Sequence, residues 1–210
     1  THAAATTAML MKIPIAHIHG GEITEGAIDE QIRHSITKMS YLHFCSTEVY
    51  RQRIIQMGED PLRVFNTGAP GIDNIVNLKL VTKKKLESDL NWKFGPRSAL
   101  FTYHAVTLGK GNINDDLENI FGTLVNSNLN ILFTYANADE GGRVINKAIE
   151  SFCKINPSKY KVIKNLGRLK YLSAMKYVNV LIGNSSSGII EAASFRKPVV
   201  NIGDRQKGRL

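Results

Sequence analysis

The chain has 210 residues, of which 43% are hydrophobic, and 27 Lys and Arg against 18 Asp and Glu give a formal net charge of +9. This length suggests one large or two modest domains with a substantial core. The basic residues are scattered and are not interleaved with aromatic residues, and the densest run, 83–85, lies on a predicted helix. We therefore expect no nucleic-acid partner, whereas an anionic small molecule fits the charge.

The cysteines and the apolar stretches indicate where in the cell the protein is expected. Cys45 and Cys153 lie far apart and in no metal-ligand spacing, so neither a disulfide framework nor a zinc site is indicated. The apolar stretch 8–11 is interrupted by Lys12 and Pro14 and is too short to span a bilayer. These features predict a cytoplasmic protein with no membrane association.

The first part of the chain alternates between helical and strand-like patterns. Helices are predicted over 1–10, over 28–39, and from a cap at Ser46 or Thr47 to Gly58. Strands are predicted over 13–18, 41–45 and 63–66.

The same alternation continues after Gly68. A helix is predicted over 72–90 and leads to a series of strands at 99–103, 131–134, 161–163, 178–182 and 198–202, with helices at 113–125, 141–152 and 169–177. A repeat of about 30 residues is typical of βαβ units in a doubly wound parallel sheet. We place a boundary near Gly68, which gives domains 1–68 and 69–210.

Polar residues that can transfer protons or bind phosphate follow several predicted strands. They are His17, His19 and Glu22; His104; Tyr135, Asn137 and Asp139; and Asn184, Ser185 and Ser186. A single histidine in such a loop is more often merely solvated. Because ligands bind outside the carboxyl ends of parallel strands, the shared placement favours a functional site.

The stretch 180–191 reads as a strand, a tight polar turn and a helix start. An apolar run stops at Gly183, and small hydroxylated residues open a new helical pattern. Unpaired N–H groups and the dipole at a helix start favour an anion, which makes Ser185, Ser186 and Gly188 phosphate-binding candidates. Glu191 is expected one to two turns into this helix, where it can accept hydrogen bonds from sugar hydroxyls. An ordinary capped helix is the alternative.

Five segments in register resemble the UDP-N-acetylglucosamine 2-epimerase family, especially its hydrolysing branch. They are HIHGGE at 17–22, IDEQIRH at 28–34, TYH at 102–104, GNSSSG at 183–188 and NIGDRQ at 201–206. The resemblance implies an α/β fold of two Rossmann-like parallel-sheet domains in the glycosyltransferase-B architecture. It also implies that this chain is a middle section of the family's sequence, truncated at both ends, and that the isolated chain is inactive.

The resemblance implies four catalytic residues, His19, Glu22, Asp29 and His104. Many relatives carry Glu where this sequence has His19. The assignment of acid and base among His19, Glu22 and Asp29 therefore stays open.

The resemblance also implies five substrate-binding residues. Ser185 and Ser186 match diphosphate-binding serines, Glu191 matches a ribose ligand, and Arg205 matches a substrate-contacting arginine. Tyr171 matches a position where an aromatic ring lies against uracil, although a buried aromatic is equally often plain core.

The reaction implied is that of a hydrolysing UDP-N-acetylglucosamine 2-epimerase. UDP leaves C1 as the C2 proton is removed, and water adds to the resulting glycal to give an N-acetylmannosamine-type sugar for nonulosonic (sialic-type) acid synthesis. This chemistry needs an acid and a base but no cofactor or metal. A homodimer is also implied.

Four alternatives remain open. The substrate can be UDP-N,N'-diacetylbacillosamine, leading toward legionaminic acid, or the enzyme can be a non-hydrolysing epimerase that keeps UDP attached. A glycosyltransferase on the same architecture and a non-catalytic nucleotide-sugar-binding module are the others.

Overall fold

The computed structural model describes residues 1–25, 27–106, 111–138 and 141–210, so Asp139 lies outside the described residues. The chain forms two compact units, one of Thr1–Val76 with Gln206–Leu210 and the other of Asn77–Arg205. The predicted boundary near Gly68 falls inside the first unit. The prediction also assigned Gln206–Leu210 to the second domain, whereas this segment packs with the first unit.

The first unit contains a three-stranded parallel sheet in the order β1-β2-β3. Its strands are β1 (Ala16–Ile18), β2 (Leu42–Cys45) and β3 (Val64–Asn66), and its helices include α1 (His2–Leu10), α2 (Asp29–Met39) and α3 (Glu48–Gln56). Thr47 rather than Ser46 caps α3, because its side chain accepts the N–H of Tyr50 at 3.2 Å. The first strand begins three residues later than predicted, after Pro14, which lacks an N–H.

The second unit is built on a five-stranded parallel sheet in the order β6-β5-β4-β7-β8. Its strands are β4 (Ser98–Thr102), β5 (Asn130–Thr134), β6 (Tyr160–Ile163), β7 (Val180–Gly183) and β8 (Val199–Asn201). Helices α6 (Ile113–Asn126), α7 (Gly142–Ile155) and α8 (Gly167–Tyr177) connect them. The predicted α/β fold with parallel Rossmann-like sheets is confirmed.

Both faces of the second sheet are apolar because successive residues of a strand point to opposite sides. Phe101 and Phe133 are fully buried in one cluster with residues of α6 and α7. Leu100 and Leu132 are buried in the other cluster, which includes Met175 of α8. This two-sided burial explains why the strands read as continuous hydrophobic runs in the sequence.

The single helix predicted over 72–90 is wrong, since two helices, α4 (Pro70–Asn77) and α5 (Lys83–Leu90), take its place. Thr82 starts α5 by accepting the N–H of Lys85 at 3.3 Å. Before it, the N–H of Val81 donates to the hydroxyl of Ser173 at 3.1 Å. The helix cap and the tertiary hydrogen bond thus interrupt the helix, although apolar residues continue at helical spacing through this stretch.

The helix predicted after Gly183 is much shorter than expected. It is a single turn, α9 (Ser187–Ile190), and Glu191 is its C-terminal cap rather than a residue within it. A 3₁₀ turn over Ala192–Phe195 follows, and the N–H of Lys197 bonds the carbonyl of Ala192 as the chain enters β8. Across the described ranges, every helix is too short or too polar to cross a bilayer.

Candidate functional site

A cavity of about 440 Å³ lies at the carboxyl ends of the second unit's strands. It brings together three of the implied catalytic and substrate-binding residues, His104, Tyr171 and Ser185, with the strand-end candidates Tyr135 and Asn137. The other lining residues are Thr102, Thr134, Ala136, Lys164, Asn165, Leu166, Gly167, Arg168 and Ser187. The position is the one where open parallel sheets bind ligands.

Asn184 fixes the backbone that carries His104. Its side chain is fully buried, and Oδ1 accepts the N–H of His104 at 2.7 Å. Its Nδ2 donates to the carbonyl oxygen of His104 at 2.8 Å. This reciprocal pair joins the loops that follow β4 and β7, which are adjacent in the sheet.

The imidazole of His104 is held as a neutral hydrogen-bond donor. Its Nδ1 lies 3.0 Å from the backbone N–H of Asn137, and because that group can only donate, Nδ1 accepts and the ring proton resides on Nε2. Burial, helped by the charge of Arg205, lowers the pKa of His104 to about 4. Near pH 7 the ring is therefore uncharged and can donate from Nε2.

Gly183 allows the close approach of β7 to β4 beside Thr102, which lines the cavity. Its φ is 135°, and a Cβ there would lie 1.9 Å from the carbonyl oxygen of Thr102. Beside it, the hydroxyls of Thr102 and Thr134 are 2.8 Å apart. Only glycine fits this position without displacing the backbone.

Tyr171 is both part of the core and part of the cavity wall. Its ring packs against the cluster that contains Leu100 and Leu181, and it also lines the cavity. Burial raises the pKa of Tyr171, and the hydroxyls of Ser187 and Thr102 oppose that shift. A place in the core and a place in the binding cavity are therefore compatible for Tyr171.

The remaining predicted binding residues lie near this cavity but are absent from its described lining. Ser186 is the N-terminal cap of α9, and Glu191 ends that helix. Arg205 donates from Nη1 to the carbonyl oxygen of Asn184 at 3.4 Å.

Lys164 and Arg168 were missed from the sequence although they are the cationic residues among those described in the lining. Lys164 directly follows β6, so the strand-end argument applied to the other strands would have found it.

The first unit has its own cavity, of about 620 Å³, lined by residues of α1, β1 and α2 and the adjoining loops. It brings together the predicted candidates His17, His19 and Asp29 and adds Arg33. Asp29 is exposed in the first turn of α2, and Arg33 follows one turn later. Asp29 is thus a carboxylate that a ligand in this cavity can reach.

Glu22 is not in the described lining of that cavity. Its side chain is 2% exposed, with Oε1 3.1 Å from Nε2 of His19 and Oε2 2.8 Å from Nη2 of Arg209. Arg33 Nη2 lies 3.8 Å from Oε2. Burial alone would raise the pKa of Glu22, but the hydrogen bond with His19 and the arginine charges outweigh it, and the pKa is lowered. Glu22 is therefore an ionised carboxylate with both oxygens engaged.

His19 has an unusual backbone conformation. Its φ is 68°, in the left-handed region that non-glycine residues seldom adopt, and its N–H bonds the carbonyl of Phe44 at 2.7 Å. Such conformations persist when the surroundings enforce them, and they cluster at functional sites. His17, on the preceding strand, has its pKa lowered to about 4 by burial and then by His43 and Arg33.

Known proteins resemble the chain along its whole length. The family model for UDP-N-acetylglucosamine 2-epimerase matches residues 1–210. A Campylobacter jejuni protein, "GDP/UDP-N,N'-diacetylbacillosamine 2-epimerase (hydrolyzing)", is 47% identical over 98% of this chain and 54% of its own length. A Legionella pneumophila protein, "UDP-N,N'-diacetylbacillosamine 2-epimerase (hydrolyzing)", is 38% identical over 99% of this chain and 54% of its own length.

Among solved structures, the Neisseria meningitidis UDP-GlcNAc 2-epimerase bound to UDP-GlcNAc superposes with a TM-score of 0.77 at 21% identity, covering 98% of this chain and 57% of that one. The likeness supports the fold. The chain spans about half the length of the curated relatives it matches. The predicted resemblance is confirmed, and the chain belongs to the UDP-N-acetylglucosamine 2-epimerase family.

Proposed function

We propose that the full-length protein is a hydrolysing 2-epimerase that converts a UDP-linked 2-acetamido sugar into UDP and the free sugar with the opposite configuration at C2. The observation that carries the proposal is the second-unit cavity, where a neutral imidazole, serine hydroxyls and two cationic side chains line one space. Membership of the family and the names of the two hydrolysing relatives support it.

The second unit is proposed to hold the leaving group. A diphosphate is anionic, and Lys164, Arg168 and the Nε2–H of His104 supply charge and hydrogen bonds that stabilise it as the C1–O bond breaks. Ser185 and Ser186 are proposed to bind the diphosphate. The other proposed contacts are Glu191 with the ribose, Tyr171 with uracil and Arg205 with the substrate.

The first unit is proposed to act on the C2 proton. A C2–H beside an acetamido group is a weak acid, so a base must act while C1–O cleavage proceeds. Asp29 and His19 line the cavity and are the proposed proton-transfer groups. Glu22 has both carboxylate oxygens engaged, which favours a positioning role over direct transfer.

The substrate proposed first is UDP-N,N'-diacetylbacillosamine, with a product that leads toward legionaminic acid. The resemblance alone put UDP-N-acetylglucosamine and the sialic-acid route first, and the names of the two hydrolysing relatives reverse that order. UDP-N-acetylglucosamine remains the second candidate because the family carries its name.

A cytoplasmic homodimer is also proposed. Its two cysteines are buried and free, as in a reducing compartment. Light scattering coupled to size exclusion would measure the mass of the full-length protein in solution, and a monomer would reject the dimer.

Incubating the full-length protein with UDP-N,N'-diacetylbacillosamine, its GDP counterpart and UDP-N-acetylglucosamine tests the function. Release of nucleoside diphosphate and a free C2 epimer is the expected result. An epimer that still carries UDP would establish the non-hydrolysing reaction instead, and no reaction with any of the three would reject the proposal.

The isolated 210 residues are expected to bind UDP without turnover, which calorimetry and the same product assay would measure. Turnover by these residues alone would contradict the sequence-based expectation of an incomplete active site.

A further inference from the structure

The segment Gln206–Leu210 packs on the loop that follows β1 in the first unit. The N–H of Glu25 donates to the carbonyl of Lys207 at 3.1 Å. The hydroxyl of Tyr50 accepts the N–H of Leu210 at 2.8 Å and lies 3.2 Å from the carbonyl oxygen of the same residue. The backbone on both sides of Arg209 is therefore held, by this loop at Lys207 and by the Tyr50 side chain of α3 at Leu210.

Arg209 reaches the Glu22 carboxylate from this segment. Its side chain is 9% exposed, and its Nη2 lies 2.8 Å from Oε2 of Glu22. The second cation, Arg33, is 3.8 Å from the same oxygen and donates from Nη1 to the backbone carbonyl of Glu22 at 3.2 Å. Arg209 thus makes the shorter contact with the carboxylate itself, in a nearly water-free setting where charged hydrogen bonds are strong.

The other oxygen of Glu22 sets the state of His19. An ionised carboxylate only accepts hydrogen bonds, so the contact of 3.1 Å between Oε1 and Nε2 of His19 places a ring proton on Nε2. In the neutral ring the lone pair is then on Nδ1, which is buried with no hydrogen-bond partner among the described residues. An unpaired buried acceptor is costly and is often explained by a functional role.

We propose that Arg209 is a positioning residue for His19: its guanidinium holds the Glu22 carboxylate, and that carboxylate fixes the ring orientation and the Nε2–H tautomer of His19. The kinetic part of this inference rests on the proposed function. The assignment of the tautomer does not, because it follows from the contacts alone. Arg209 contributes through Glu22 and needs no contact with the sugar.

The kinetic test compares Arg209→Met, Arg209→Lys and the matched control Lys207→Met in the full-length protein. Lys207 pairs with Glu25 in an exposed ion pair on the same segment, so its loss should leave kcat unchanged. Arg209→Met should lower kcat about 10- to 100-fold while UDP affinity and KM stay close to wild type, because misplacing a group costs turnover rather than binding. Arg209→Lys should recover part of the loss, since it restores a charge beside Glu22.

Wild-type kcat in Arg209→Met, an equal fall in UDP affinity, or no recovery in Arg209→Lys would each overturn the inference.

The spectroscopic test needs no activity. The ring nitrogens of His19 are assigned in ¹⁵N NMR by their loss in His19→Asn, which suits a left-handed backbone. In the wild-type protein the neutral ring should be a single Nε2–H tautomer, and Arg209→Met should give a mixture of the two tautomers. An unchanged spectrum would reject the role of Arg209. If the wild-type enzyme released no UDP but this spectral change occurred, the proposed function would fail and the positioning role would stand.

Discussion

Replacing Asn184 by alanine should destabilise the second unit strongly, since Asn184 ties the loop after β7 to the backbone of His104. The change removes hydrogen bonds of 2.7 and 2.8 Å and leaves the N–H and carbonyl of His104 buried without these partners. Each orphaned buried group costs about 1–3 kcal/mol, so the loss of two partners should lower the free energy of unfolding by about 2–6 kcal/mol. UDP affinity should fall as well, because the loop that presents His104 loses its support.

Urea unfolding followed by tryptophan fluorescence measures this loss. Trp92 is the single tryptophan of the sequence, and it is 6% exposed within the second unit's core, so it reports on that unit. The matched control is Asn201→Ala, because Asn201 is exposed and its Nδ2 bonds only the carbonyl of Gly203 among the hydrogen bonds described for it. The control should change stability by less than about 0.5 kcal/mol. An Asn184→Ala protein that unfolds within about 1 kcal/mol of the control would refute the reasoning.

Three further predictions concern the second unit. Gly183→Ala should lower the free energy of unfolding by more than the backbone strain cost of about 1–3 kcal/mol, because the added Cβ would collide with backbone. Gly203 has a φ of 69° and nothing within 4 Å of an added Cβ, so Gly203→Ala should show the strain cost alone. Urea unfolding of both variants measures the difference. Burial and Arg205 lower the pKa of His104 to about 4, so wild-type stability is retained above pH 6.5 and should fall as the pH drops toward 4. His104→Gln should flatten this dependence when the free energy of unfolding is measured in urea at each pH. Lys164→Met should weaken UDP binding about tenfold at low salt, unlike Lys170→Met, whose lysine pairs with Asp89; equal affinities in calorimetry would contradict a diphosphate contact.

The second unit's strands were predictable because they are buried on both faces. Runs such as 99–101 and 131–133 are apolar throughout, and polar residues follow them at the sheet edge. Periodicity could not predict the end of α4, since apolar residues continue past it. The break at Val81 depends on Ser173, which is 92 positions away. Local pattern carries no information about such a partner.

The candidate site was predictable where it follows strands and was missed where it depends on distant contacts. His104, Tyr171 and Ser185 share a cavity as the motifs suggested. Nothing near Glu22 in sequence indicates that Arg209, 187 positions later, is its closest described cation. The engagement of both Glu22 oxygens, which distinguishes it from the exposed Asp29, is a property of packing and not of sequence spacing.

The first unit is discontinuous in sequence, because the chain leaves it after Val76 and re-enters it at Gln206. The second unit is in effect an insertion, and the described lining of its cavity lies within the continuous run 77–205. Expressing the two units as separate pieces of the chain therefore affects them differently. A recombinant piece spanning 77–205 keeps its cavity whole, whereas a piece spanning 1–76 loses the arginine on Glu22 and the Leu210 backbone that meets the Tyr50 hydroxyl. A piece in which a linker joins residue 76 to residue 206 would include both the arginine and the Leu210 backbone.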